Sequence, residues 1–311
     1  MDTSLAAVPL DSFGAAPAME PGPRMHIDAD GFPARFDRIP FGFKHNLHTL
    51  ELFGTESLRR LAGLYAAHPS EFFVAAAAAS AGTSFNSVSH GKYGPQEAVE
   101  RVNSEPVRVL LKRPENRDPL FRELLDTLFE QVMELRGGLQ GERVARLESA
   151  VFITSKSAIT PCHFDPEIAF FAQIRGQKIY HVYAPESVSE VERERFYQKG
   201  IVSICEVDLA SRDPRLERVY NLMPGDGHHQ PQECPHWVQT GDEVSVSYSF
   251  VFETDATRAR GRTRAANYFL RGMGVAPTPP GVNPTRDAVK AAAIRVAFPI
   301  RRRIRRLISR G

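Results

Sequence analysis

Apolar residues recur at three- and four-residue intervals through much of the front half of the chain and at two-residue intervals after Gly141. In "TESLRRLAGLYAAH", Leu58, Leu61, Leu64 and Tyr65 keep helical spacing. The clearest helix is "DPLFRELLDTLFEQVMELRGG", where Phe121, Leu124, Leu125, Leu128, Val132 and Leu135 form one stripe. Asp118 suits its N-cap, Pro119 its first turn, and Gly137-Gly138 its stop. The stripe is read as core packing, and the region from about Phe36 to Gly138 as largely helical.

After Gly141 the pattern predicts strands: "SAVFITSKS", "IAFFAQI", "QKIYHVYAP" and "EVSVSYSFVFE". Turn signals separate them at Arg175-Gly176, Met223-Pro224-Gly225-Asp226 and Thr240-Gly241-Asp242. Several short strands with such turns suggest a small barrel or jelly roll, with "SVSEVERERFYQKG" as a helical insertion. The expected organisation is a disordered tail over residues 1–24, a mainly helical elaboration over 25–149, and a β core over 150–256. A linker and helical segment over 257–288 and a basic amphipathic helix over 289–311 complete it.

Composition narrows the class. A chain of 311 residues with 42% hydrophobic and 24% charged residues reads as a globular protein of one domain with appendages. The formal charge of +2 identifies no partner, so electrostatic arguments must be local. Cys162, Cys205 and Cys234 are too few for a disulfide framework. With neither a long apolar run nor a signal-like N-terminus, the cytoplasm is the expected location. In "DAVKAAAIRVAFPIRRRIRRLISRG", Ile300, Ile304, Leu307 and Ile308 stripe a helix interrupted by Pro299 and carrying six arginines from Arg301 to Arg310. Such a helix suits an anionic surface, membrane or nucleic acid. The alternative is docking on its own domain or on a second subunit as a homodimer.

Candidate chemistry concentrates in "TPCHFDPEIAFFAQIRGQK". On a strand His163 and Asp165 share a face, and a buried carboxylate beside an imidazole calls for a cation. The same spacing at His26 and Asp28 lacks strand context and serves as a decoy. A second histidine, His236, begins a strand in "PGDGHHQPQECPHWVQTGDEVSVSYSF", where a closed sheet could bring it to His163. Two histidines and one carboxylate on one face of an octahedron form the ligand set of non-heme Fe(II) oxygenases.

These segments resemble the JmjC and cupin-like family of Fe(II)/2-oxoglutarate-dependent oxygenases over roughly residues 150–252. The family pattern is Thr-Pro-x-His-x-Asp, then Asn-Phe-x-x-Gln-x-x-Gly-x-Lys, then Gly-Asp-x-x-x-x-Pro with a histidine five past the proline. The resemblance implies an α+β chain with a mainly β core, a double-stranded β-helix of the cupin or jelly-roll kind with helical elaborations. It implies His163, Asp165 and His236 as the Fe(II) ligands and catalytic centre. Thr160, Lys178 and Ser249 would contact the 2-oxoglutarate co-substrate, and dioxygen would be the oxidant. Ala169 stands where several relatives have asparagine, and "HHQPQE" is more polar than their usual apolar run. A lysine inside a barrel is itself costly unless it meets an anion, and the alternation of "EVSVSYSF" turns Ser245, Ser247 and Ser249 to one polar wall.

The expected reaction is hydroxylation, or demethylation by the same chemistry, of a protein side chain or small molecule. Competing readings are a zinc site from Cys162, His163, Cys234 and His236, a cupin isomerase, and a non-enzymatic metal- or ligand-binding sensor. Zinc sites of this kind commonly use a Cys-x-x-Cys loop, which is missing; so is the isomerase set of His-x-His, Glu and His. His228 and His229 are read as supporting or surface residues, since at most one of them can face the site.

Overall fold

In the computed structural model, which describes residues 22–76, 80–84, 91–200 and 205–308, thirteen strands form two antiparallel sheets. The larger comprises β1 (Met25–His26), β2 (Phe41–His45), β3 (Phe72–Ala76), β4 (Val107–Lys112), β5 (Val144–Thr154), β7 (Ile168–Arg175), β11 (Asp226–Gln230) and β13 (Ser245–Thr254). Its order is β1-β2-β11-β7-β13-β5-β4-β3. The smaller runs β10 (Glu217–Leu222), β8 (Lys178–Tyr183), β12 (His236–Thr240), β6 (Ile159–Phe164) and β9 (Cys205–Glu206). The class is α+β with a mainly β core.

Each face of the larger sheet has its own partner. Val246, Tyr248, Phe250 and Phe252 of β13 join Phe170, Ala172 and Ile174 of β7 on the outer face. Against them pack α1 (Phe32–Arg35), α2 (Thr55–Gly63), α3 (Pro95–Arg101) and α4 (Pro119–Arg136). Helix α4 starts where Asp118 accepts a 2.9 Å hydrogen bond from the Leu120 amide and ends at Gly137, φ 80°. The inner face turns toward the smaller sheet. There Phe171 and Phe152 meet Tyr180, Val182, Tyr220, Leu222 and Val238.

The front of the chain differs from the helical expectation, because β1 to β4 belong to the larger sheet. "FGFKH" and "VRVLLK" are too short to outweigh the neighbouring helical spacing, and their partners β11 and β5 lie far away in sequence. The tail read over residues 1–24 lies, up to residue 21, outside the described residues. Two further helices follow: α5 (Glu190–Tyr197) packs against Phe164 of the smaller sheet, and α6 (Asp255–Gly272) packs against α5. The last, α7 (Pro284–Ile308), starts before residue 289 and continues through Pro299 rather than breaking there. Among the described residues no helix is long and apolar enough to cross a membrane.

Candidate functional site

Strands β6 and β12 pair with His163 opposite His236. Asp165 follows β6 directly, so the chain delivers a carboxylate to two imidazoles that are 73 positions apart in sequence. One ligand atom from each lies within 4.8 Å of the others. The ring centroids stand 4.2 Å apart. Asp165 Oδ1 is 4.0 Å from His163 Nε2, and its Oδ2 is 3.8 Å from His236 Nε2.

Backbone carbonyls orient both rings. His163 Nδ1 lies 2.7 Å from the Pro161 carbonyl and His236 Nδ1 lies 3.1 Å from that of Cys234. In the tautomer that donates these bonds, Nε2 carries the lone pair, as a metal ligand requires. Burial lowers His163 to about 4 and His236 to about 3, so both rings are neutral at physiological pH. Burial also raises Asp165. Among the described residues no lysine or arginine pairs with it, and two neutral nitrogens beside one such carboxylate fit a divalent cation.

A bulge sets the aim of His163. Thr160 stands opposite Val238 while His163 stands opposite His236, so β6 uses one residue more than β12. Cross-strand partners share a face, and Val238 belongs to the interior cluster. Thr160 and His163 are an odd number of residues apart, yet the bulge turns both inward.

The loop between β11 and β12 is clamped from outside. The Glu233 amide donates 2.9 Å to the Asp165 carbonyl, and the Gln232 side chain donates to that of Pro166. Glu233, at φ 62°, places its buried carboxylate against Arg264 of α6, with Arg193 Nε of α5 at 2.8 Å. The Tyr197 hydroxyl donates 2.7 Å to the same group. One loop thereby fixes Asp165 and leads straight into His236.

Lys178 points into the interior at the far end of β8, opposite Thr240 on β12. It is 4% exposed. Its Nζ lies 5.7 Å from the Phe152 ring centre and 5.6 Å from that of Phe171. No carboxylate among the described residues pairs with it, and burial, aided by Arg108, lowers it to about 7. Ser249 lies on the same inner wall opposite Phe171. Ser245 and Ser247 are engaged by Gln173, which donates to the first at 2.8 Å and accepts from the second at 2.8 Å.

Several interior residues escape the sequence reading. Arg108 on β4 sits opposite Thr154, donates 3.4 Å to the Ile159 carbonyl, and depresses both Lys178 and His163. Its signal was an arginine between two valines at strand spacing, hidden once that segment is read as helical. Tyr180 stacks on His236 at 5.4 Å and donates 2.7 Å to Gln230 Oε1. The surface reading of His228 and His229 is corrected, since both are fully buried. His228 faces inward beside Tyr180 and Tyr220. His229 faces the outer core, where it hydrogen-bonds the Ala169 carbonyl at 3.1 Å and accepts 3.2 Å from the Asp37 amide. The decoy pair does not form: Asp28 interacts with Arg35 instead.

No family model matches the chain, and no curated protein does either. Solved structures do. The ribosomal oxygenase YcfD from Escherichia coli in complex with cobalt and succinic acid matches at 16% identity and a TM-score of 0.50. The match covers 89% of this chain and 68% of that one. A second structure of E. coli YcfD matches at 17% identity and a TM-score of 0.49, with the same coverage. The likeness is one of fold, and it agrees with the resemblance drawn from residues 150–252: this chain shares its fold with a ribosomal oxygenase.

Proposed function

We propose that this protein is an Fe(II)- and 2-oxoglutarate-dependent oxygenase built on a double-stranded β-helix of the JmjC and cupin-like kind. The observation that carries the reading is a conjunction within one interior. His163, Asp165 and His236 offer a facial ligand set at one end, and the buried cation Lys178 waits without an anion at the other. From the His236 end of β12 to Lys178 is about 13 Å of strand. A lysine side chain and a five-carbon dicarboxylate together reach across it. Thr160 and Ser249 line the same interior and would share the distal carboxylate.

Each residue then has a task. His163 and His236 present Nε2 because their Nδ1 atoms are held by Pro161 and Cys234. Asp165 supplies the anionic ligand, steadied through its own carbonyl by Glu233. Tyr180 stacks on His236 and limits its rotation. Phe152 and Phe171 enclose the Lys178 end, and Tyr220 packs beside the buried His228, so the interior between the two ends is largely closed to water. Fe(II) held by His163, Asp165 and His236 would supply the oxidising chemistry, in which 2-oxoglutarate and dioxygen give succinate and carbon dioxide while the second oxygen atom is inserted into a substrate C–H bond. That the E. coli ribosomal oxygenase YcfD was solved in complex with cobalt and succinic acid supports this assignment of a divalent metal and of the product. The prime substrate is a protein side chain or a small molecule, acted on in the cytoplasm, where the buried free thiols of Cys162 and Cys234 stay reduced.

The test is dioxygen uptake and succinate release by purified protein given Fe(II) and 2-oxoglutarate. Slow uncoupled turnover is expected in the wild type, none in His163→Ala or His236→Ala, and wild-type rates in His26→Ala. A wild-type protein that binds metal and consumes no dioxygen would leave the sensor reading standing in place of the enzyme.

A further inference from the structure

Helix α7 is attached by one side. Ala291, Ile294 and Phe298 face Ala265, Ala266 and Phe269 of α6 and Tyr197 of α5. The opposite side carries Val289, Ala293, Val296 and Ile300, spaced by four, three and four residues. Val289 is 67% exposed, Val296 62% and Ile300 54%. Six of the thirteen exposed large hydrophobics among the described residues lie between Met273 and Ile300. Single exposed apolar residues need no explanation, but a stripe along one helix does.

The same segment is strongly basic. The stretch from Pro284 to Gly311 holds nine lysines and arginines against one aspartate, a formal +8. The whole chain is only +2, so everything before it totals −6. An apolar stripe inside a strongly basic helix is what an interface-lying helix presents to a bilayer: the stripe enters the acyl boundary and the arginines meet phosphates.

We propose that the free face of α7 docks this protein onto an anionic lipid bilayer, the helix lying in the plane of the surface. The occupant follows from both features together. A nucleic acid would use the arginines and leave the valines and isoleucine in water. A second α7 would cover the stripe but set +8 against +8. An anionic bilayer satisfies both at once, and the α6 attachment leaves the stripe pointing outward.

The experiment is co-sedimentation of the full chain with vesicles of phosphatidylcholine alone and with 30% phosphatidylglycerol. Binding is expected only to the second and should weaken as salt is raised. In the triple variant Val289→Asp, Val296→Asp, Ile300→Asp, affinity should fall more than tenfold, with the thermal melt unchanged because all three side chains are exposed. Should that variant melt early, Ile300→Asp alone is read by the same measure, with a several-fold loss expected. Equal sedimentation of variant and wild type would overturn the proposal. So would duplex DNA binding that exceeds vesicle binding and survives the triple substitution. A wild-type dimer that the triple variant converts to monomer in size-exclusion chromatography would assign the stripe to a second copy instead.

Discussion

Lys178 sets stability against binding. Its ordinary value of 10.5 falls to about 7 because the folded interior disfavours the charged form. Between those values the unfolded chain binds more protons than the folded one, so stability rises with pH across the window. Below about pH 7 the cost is complete, on the order of 5 kcal/mol. Lys178→Met should therefore stabilise the ligand-free protein most at pH 6.5 and little at pH 10, as urea midpoints at the two values would reveal. The same variant should lose 2-oxoglutarate binding to its Mn(II) form while keeping Mn(II) affinity, since no metal ligand is touched. Wild-type affinity for the dicarboxylate should fall as pH rises above 7, because the neutral amine attracts no anion. An unchanged dissociation constant in Lys178→Met would remove this residue from the co-substrate's path.

Among the elements, β11 and the loop after it carry constraints that their composition does not advertise. A Cβ on Gly227 would lie 2.2 Å from the buried Phe43 ring, which has no space to retreat. Gly227→Ala should cost about 1–3 kcal/mol by overpacking, measured as a lower urea midpoint. The Glu233 clamp is the second constraint. Arg264→Leu would leave a buried carboxylate with Arg193 as its remaining cationic partner, a loss of about 1.5–3 kcal/mol. It should also lower Mn(II) affinity, because Glu233 holds the Asp165 carbonyl. Unaltered Mn(II) binding in a folded Arg264→Leu would confine that clamp to structure. Such elements also show what sequence could and could not reveal. Helix α4, the alternation of β13 and the turn–strand–turn run into His236 are written in local periodicity and caps, so they were legible. The bulge at Thr160, the burial of His228 and the approach of Arg108 to Lys178 depend on register between distant strands. Periodicity carries no record of that register.

For the molecule as a whole, a metal at His163, Asp165 and His236 would join segments separated by the length of β7, β8, α5, β9, β10 and β11. An ion bound only by the folded state stabilises it by mass action, about 2.7 kcal/mol at a concentration one hundred times its dissociation constant. For a chain of this size that should raise the melting temperature by several degrees. Mn(II) or Co(II) is expected to do so in the wild type and not in Asp165→Ala. An equal rise in both would place the ion elsewhere. The charge division between body and α7 acts at this same scale. It gives the molecule a basic end and an acidic remainder, so adsorption to charged surfaces should orient it.

The extra residue in β6 has a consequence for how this strand tolerates insertions and deletions. In a regular ladder, losing one residue turns every side chain beyond it to the other face. Between Thr160 and His163 the rule inverts, because the strand already carries one residue more than its partner. Removing Cys162 would leave Thr160 and His163 two positions apart and both still inward, with an unbroken ladder. The deletion would nevertheless bring Pro161 next to His163, so its carbonyl could no longer fix the ring from two residues back as it does now. The shortened protein should fold with a lowered melting temperature, since the buried Cys162 amide also donates to the Ala81 carbonyl, and should bind Mn(II) poorly. A deletion at Phe164 would instead leave His163 in place and displace Asp165 from its position beside the two rings. The surplus residue in this strand thus sets the angle of the His163 imidazole.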